Sequence, residues 1–293
     1  MLKTINKLFL SVFILGTIAS AEPGLVSRDL FFLPLSGEFQ SKSQLNYETR
    51  KDTIEGVGAY DLSTASFTLG EGLSYAFYDD LVVGAQVGFK TLKQDSKTLN
   101  NSTSGLLDPN FSILYRVYDQ SYSPVFFDVS LALSPYFGKH RSNNVLRGST
   151  EVDFELSLGQ ELYAWAYKLS LYSDWFSREI TGGSGSDSII QSRFDFGGKA
   201  ALQYDFDPQW AANFELGLRL PGKRQDDKTI AYQDPNYEFS FATGPVYQFH
   251  RDLSGAFKFY TKYEKGTSYG IDKKSTNYHA TTYGINLALD YIF

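Results

Sequence analysis

Three histidines, at positions 140, 250 and 279, and no cysteine narrow the covalent chemistry open to this 293-residue chain. The histidines are scattered singly, so no metal site and no cofactor are expected. Without cysteine there is neither a disulfide framework nor a thiol to carry a lipid anchor. The stretch His140-Arg141-Ser142-Asn143 holds a histidine, the type that serves as a general base. Such a base needs a third group to orient it, and no matching partner is evident downstream. The glycines have no following helix and make no phosphate-binding loop. What remains is charge at alternate positions: Lys90, Arg116, Lys168, Lys199, Arg219, Lys258 and Lys262, with Asp128, Asp153, Glu155, Asp174, Asp195, Glu215, Glu238 and Glu264. Chemistry of this kind is electrostatic, and it acts on whatever passes the surface carrying it.

The elements that position these charges follow from period-two alternation, which sends successive side chains to opposite faces of a strand. In one segment Leu81, Val83, Ala85, Val87 and Phe89 share a face, and Gly84, Gln86, Gly88 and Lys90 share the other. The pattern recurs about twelve times, from a weak first strand holding Phe39, Leu45 and Tyr47 to Tyr283, Ile285, Leu287, Leu289, Tyr291 and Phe293. One face is oily throughout, and the charges above lie on the other. The segments run about 10 to 13 residues, the length of a tilted strand crossing a membrane, where soluble strands have about 5 or 6. After the first twenty residues no segment approaches the ~18 consecutive apolar residues of a membrane helix.

Connections alternate as well. Tyr78-Asp79-Asp80, 119–124, 160–164, Asp207-Pro208-Gln209 and His250-Arg251-Asp252 are short, whereas 50–63, 91–108, 138–150, 177–188, 221–236 and 265–278 are long and polar. Aromatic residues, among them Tyr75, Phe77, Trp165, Tyr204, Trp210 and Tyr247, gather beside the short turns. Short periplasmic turns, longer outer loops and an aromatic girdle define a closed antiparallel transmembrane β-barrel, all-β, of twelve strands with both ends periplasmic.

Lys3 and Lys7 precede an apolar run, Leu8 to Ile18, closed by Ala19-Ser20-Ala21. This is the pattern of a secretory signal peptide cleaved after Ala21. The expected organisation is a signal peptide over 1–21, a periplasmic lead or small plug over 22–35 and the barrel over 36–293, in the cell outer membrane. The net charge of -6 argues against a nucleic-acid partner.

Two resemblances add to this reading. The alternating, aromatic-ended stretch from Tyr283 to Phe293 resembles the signal by which bacterial outer-membrane barrels are recognised, which implies the barrel assembly machinery as a partner acting through Phe293. Gly105-Leu106-Leu107-Asp108-Pro109 entering a strand that ends Tyr115-Arg116, and Leu133-Ser134-Pro135 entering a loop with Gly148-Ser149-Thr150, resemble the outer-membrane transporter family related to the meta-pathway phenol-degradation barrels. That similarity spans residues 64 to 165 and implies passive uptake of small molecules, aromatic ones included. His140-Arg141-Ser142-Asn143 is also similar to the His-x-Ser-Asn stretch of outer-membrane phospholipase A, but Asn144 stands where that family has glycine and the histidine falls in an expected loop rather than on a strand.

The function expected is a passive channel for small solutes through a narrow polar lumen, since twelve strands lie between a filled eight-stranded barrel and a wide porin. The solute-path candidates are Lys90, Arg116, Asp128, Glu155, Lys168, Lys199, Glu215, Arg219, Lys258 and Lys262. Lys199 and Glu215 share an expected hairpin at similar heights and suit mutual neutralisation. A lipid hydrolase in the barrel wall and a structural or adhesive barrel acting through its outer loops stay open as alternatives. Glu71 shares parity with Leu69 and Leu73, so it faces lipid and needs a partner, a bulge between Gly70 and Gly72, or a second protomer in a homo-oligomer.

Overall fold

The computed structural model describes residue 30 and residues 32–55, 60–96, 100–119, 125–136, 149–181, 188–225, 232–269 and 275–293. The expected signal peptide and the stretch around His140 lie outside the described residues.

Twelve antiparallel strands close a barrel. They are β1 (Phe39–Ile54), β2 (Tyr60–Tyr78), β3 (Leu81–Asp95), β4 in two pieces (Asn100–Leu106 and Asn110–Tyr118), β5 (Phe126–Ser134), β6 (Glu151–Leu162), β7 (Trp165–Phe176), β8 (Arg193–Asp205), β9 (Trp210–Leu220), β10 (Tyr232–His250), β11 (Leu253–Tyr269) and β12 (Ser275–Ile292). Each pairs with its sequence neighbours, and β12 returns to β1 in an unbroken register from Gln40 opposite Ile292 to Ile54 opposite Tyr278. At its foot the seam is tied by Phe39 and Phe293, which exchange backbone hydrogen bonds of 2.9 Å. Closure leaves no row of backbone groups unpaired in hydrocarbon, where each would cost several kcal/mol.

The oily parity faces out. Val87, Phe111, Leu169, Leu171, Phe194 and Leu216 are exposed on the exterior, whereas inward-facing Ser157, Ser170, Asn213 and Thr282 are buried. At the end carrying the short turns, periplasmic in membrane barrels, the girdle repeats one arrangement three times. A tilted cross-strand pair is followed by an edge-on ring two residues along: Phe39–Tyr75–Phe77 at 4.6 and 4.9 Å, Trp165–Tyr204–Phe206 at 4.4 and 4.9 Å, Trp210–Tyr247–Phe249 at 4.5 and 4.8 Å. Such ring pairs add about 0.5–1.5 kcal/mol each beyond area burial.

Two features depart from the expectation, and a third decides among its alternatives. First, much of what reads as long loop is strand. The β1–β2 ladder continues to Ile54 opposite Tyr60, and the β11–β12 ladder to Tyr269 opposite Ser275. Beyond the hydrocarbon the outward face no longer has to be apolar, so pairing goes on where the oily alternation stops. Lys51 and Asp61, 3.3 Å apart on that outward face, belong to this polar extension. Second, β4 breaks at Leu107-Asp108-Pro109. Its first piece pairs with Phe89–Asp95 of β3 and its second with Leu81–Gln86, and between them Leu107 N donates to Gly88 O at 2.8 Å. Pro109 has no N–H for the ladder, which suits it to the break. Third, the register runs evenly through Glu71, opposite Ser43 and Val87, so there is no bulge there. Its partners are outward-facing hydroxyls: Ser41 donates to one carboxylate oxygen at 2.9 Å and Ser43 to the other at 2.6 Å.

Candidate functional site

Inward parity on twelve tilted strands produces the lumen, and its side chains group by height and by wall. A cavity of about 710 Å3 occupies the middle and outer part. Six of the expected path residues line it: Glu155, Lys199, Glu215, Arg219, Lys258 and Lys262. Of the carboxylates there, Glu151, Asp153, Glu155 and Asp174 stand on β6 and β7, and the two lysines of β11 stand on the far side of the barrel. Seven carboxylates in all meet four cations, so the lining has an acidic excess and a lateral field from one wall to the other.

The acidic wall carries a row of like charges. Asp153, Asp174 and Asp195 are direct cross-strand neighbours on β6, β7 and β8, an arrangement that repels unless cations intervene. Arg219 supplies one, bonding Asp195 and lying 3.8 Å from Asp174. Asp195 also accepts from the backbone N of Gly222 at 2.7 Å, which fastens the turn above β9 to β8. A side chain at Gly222 is shut out, because a Cβ there would come within 2.3 Å of Phe194 O.

Lys199 does not pair with Glu215. Register places Glu215 opposite Ala201 and Lys199 opposite Gly217, and the lysine reaches Glu155 at 4.0 Å while lying 4.8 Å from the Tyr172 ring. Tyr172 lies over Gly197 and Tyr260 over Gly284, their directly opposite neighbours. A Cβ on either glycine would come within 2.2 Å of the ring. Both rings therefore lie along the wall and leave the bore open. The Tyr260 hydroxyl is 2.9 Å from Glu48 Oε2 and 3.0 Å from Asn46 Oδ1.

Four expected path residues lie elsewhere. Arg116 grips Asp128 with two contacts of 2.8 and 3.1 Å, stacks 4.6 Å from the Phe126 ring, and is buried with it near the periplasmic end. Lys168 sits lower on β7, opposite Gly159 and Ala201, and Lys90 on β3 opposite Thr68 and Gly105. None of the four touches the main cavity. The described histidines lie at opposite ends, His250 closing β10 beside Asp252 and His279 on upper β12, 3.9 Å from Glu55.

Towards the periplasmic end the inner wall is buried: Phe126, Ala166, Gln203, Ala211, Asn213, Val246 and Gln248 all lose contact with solvent. Leu30 packs against Phe126 and Ala166, and Pro34 is fully buried. Sequence reasoning missed two groups that matter, the tyrosines laid along the wall and the inward amides Gln44, Asn46 and Asn286. The same parity rule finds them once uncharged residues are counted with charged ones.

Among solved structures, the fold is similar to an outer-membrane channel from Pseudomonas putida F1, with a TM-score of 0.66 and 18% identity over 94% of this chain and 100% of that one. Looser likenesses include the translocator domain of the autotransporter NalP from Neisseria meningitidis (TM-score 0.48, 11% identity, 90% of each chain) and a TodX monoaromatic hydrocarbon channel mutant (TM-score 0.43, 10% identity, 91% of this chain and 92% of that one). No family model matches the sequence, and no curated protein does. The chain is a closed twelve-stranded β-barrel of the outer-membrane type.

Proposed function

We propose that this protein is a passive outer-membrane channel for small polar solutes. The observation that carries the reading is the 710 Å3 cavity inside a closed barrel, with carboxylates on β6 and β7 across the bore from Lys258 and Lys262. A lateral field of this kind orients dipolar and zwitterionic solutes, and it passes ions without a dedicated binding step. The channel fold of the Pseudomonas putida protein supports the same reading. Residues leading into β1 narrow the periplasmic mouth, as the contact of Leu30 with Phe126 and Ala166 suggests. Insertion by the assembly machinery through Phe293 belongs to this reading too.

Planar-bilayer recording tests it. Discrete conductance steps are expected, and Lys258→Glu with Lys262→Glu should shift the reversal potential under a salt gradient towards cation selectivity. Folded protein that inserts and passes no current would end the channel reading.

A further inference from the structure

Beside the charged cavity lies a second recess of a different character. It measures about 250 Å3, is bounded by β1 to β4 and β12, and shares Asn46 and Asn286 with its larger neighbour. At about 30 Å3 per water molecule of liquid volume it holds roughly eight waters. No lysine or arginine lines it, and Asp108 is its one ionisable group. Five amides converge there instead: Gln44, Asn46, Gln86, Asn110 and Asn286.

An amide presents a donor and an acceptor side by side, which fits neighbouring hydroxyl groups that must both give and take. Two of the five are held in place by the protein. The Asn46 carbonyl oxygen accepts from Tyr260 OH at 3.0 Å and Asn110 Nδ2 donates to Ser134 Oγ at 2.9 Å, so each keeps its other function for the recess. The space itself is made by glycines. A Cβ on Gly70 would stand 2.9 Å from Gln86 Nε2, and one on Gly88 would stand 2.9 Å from Leu107 Cδ1. Leu107, delivered by the break in β4, gives the recess one apolar wall.

We infer that this recess is a binding site for a neutral polyhydroxylated solute of about monosaccharide size, its hydroxyls on the amides and its C–H face on Leu107. Convergent polar groups beside an apolar surface are the ordinary composition of a small-molecule site. The inference rests on the channel reading, because the recess opens from the lumen.

Ion-current recording with millimolar glucose separates the two. Wild-type channels should show reversible, concentration-dependent interruptions. The Gln44→Leu and Gln86→Leu variants, which lie outside the main cavity, should keep their conductance in salt while the concentration of glucose needed for half-occupancy rises about three- to tenfold for each. Gly70→Ala, which intrudes only on the flexible end of Gln86, should give a change in the same direction. Wild-type conductance that glucose leaves undisturbed would overturn the recess and spare the channel, as would interruptions identical in all variants. Absence of current in every protein, with folding retained, would overturn the channel itself.

Discussion

From β10 round through β12 and β1 to β3 the strands run 15 to 19 residues, whereas from β5 to β9 they run 9 to 13. About 10 residues suffice to cross the hydrocarbon at the usual tilt, so the tall wall carries roughly 17–30 Å of additional strand at ~3.3 Å per residue. The two walls also differ within. The short wall holds dense charge: the aspartate row, Arg219, and Asp128 buried against Arg116 of the adjoining β4. The tall wall, with the break in β4, holds the amide recess and the two lysines of β11. At the periplasmic end the tall wall mixes half-buried Lys42, Ser254 and Asp290 with buried Ala76, Val246 and Gln248, while on the short wall Leu30 packs over Phe126 and Ala166. One closed ladder thus lines its bore differently by side: a carboxylate row with its cations faces the cavity from the short wall, and an amide recess opens on the tall one.

Breaking the packed side should cost most. Arg116→Ala leaves the Asp128 carboxylate buried without its fork and is expected to lower stability by about 3–5 kcal/mol in urea unfolding from vesicles. The double variant Arg116→Met with Asp128→Leu should recover most of that loss. If instead the single variant is as stable as wild type, the short wall is not held by this pair.

A middle effect is expected where the short wall is sealed. Leu30→Asp should release the contact on Phe126 and Ala166, and single-channel conductance should then rise with little change in thermal unfolding. Unchanged conductance would place the narrowest point elsewhere.

The smallest effect belongs to the tall wall. Lys51 and Asp61 pair 3.3 Å apart but are both well exposed, so Lys51→Ser should change stability by no more than about 0.5–1 kcal/mol, and less in high salt. A larger loss would mean that the polar extension props up the barrel.

Strand number and facing were legible because lipid on one side and water on the other force alternation on every crossing segment. The tall extensions were not, since Thr49 to Ile54 and Thr267 to Tyr269 leave the hydrocarbon and lose the oily parity while keeping their partners. Lys258, Lys262, Glu155 and Arg219, inward by parity, line the cavity. Parity gave neither the height of Lys168, which falls below the cavity, nor the register step that hands Lys199 to Glu155 in place of Glu215. Height depends on strand tilt and shear, which are properties of the closed sheet and not of any one strand. Glu71 shows the same division: its outward direction was plain, but Ser41 and Ser43 became its partners only through the β1–β2 register.

The seam between β1 and β12 bears on how the molecule comes to exist. Its ladder joins residues from the two ends of the barrel sequence, Gln40 with Ile292 and Ile54 with Tyr278. Closing so long a loop costs about 5 kcal/mol of chain entropy by polymer scaling, and no partial closure offsets it, because an open sheet presents two bare edges to lipid. Assembly is therefore a race whose finish is its most distant contact, and intermediates that stop short of it are the species most exposed to wrong pairing and to proteolysis.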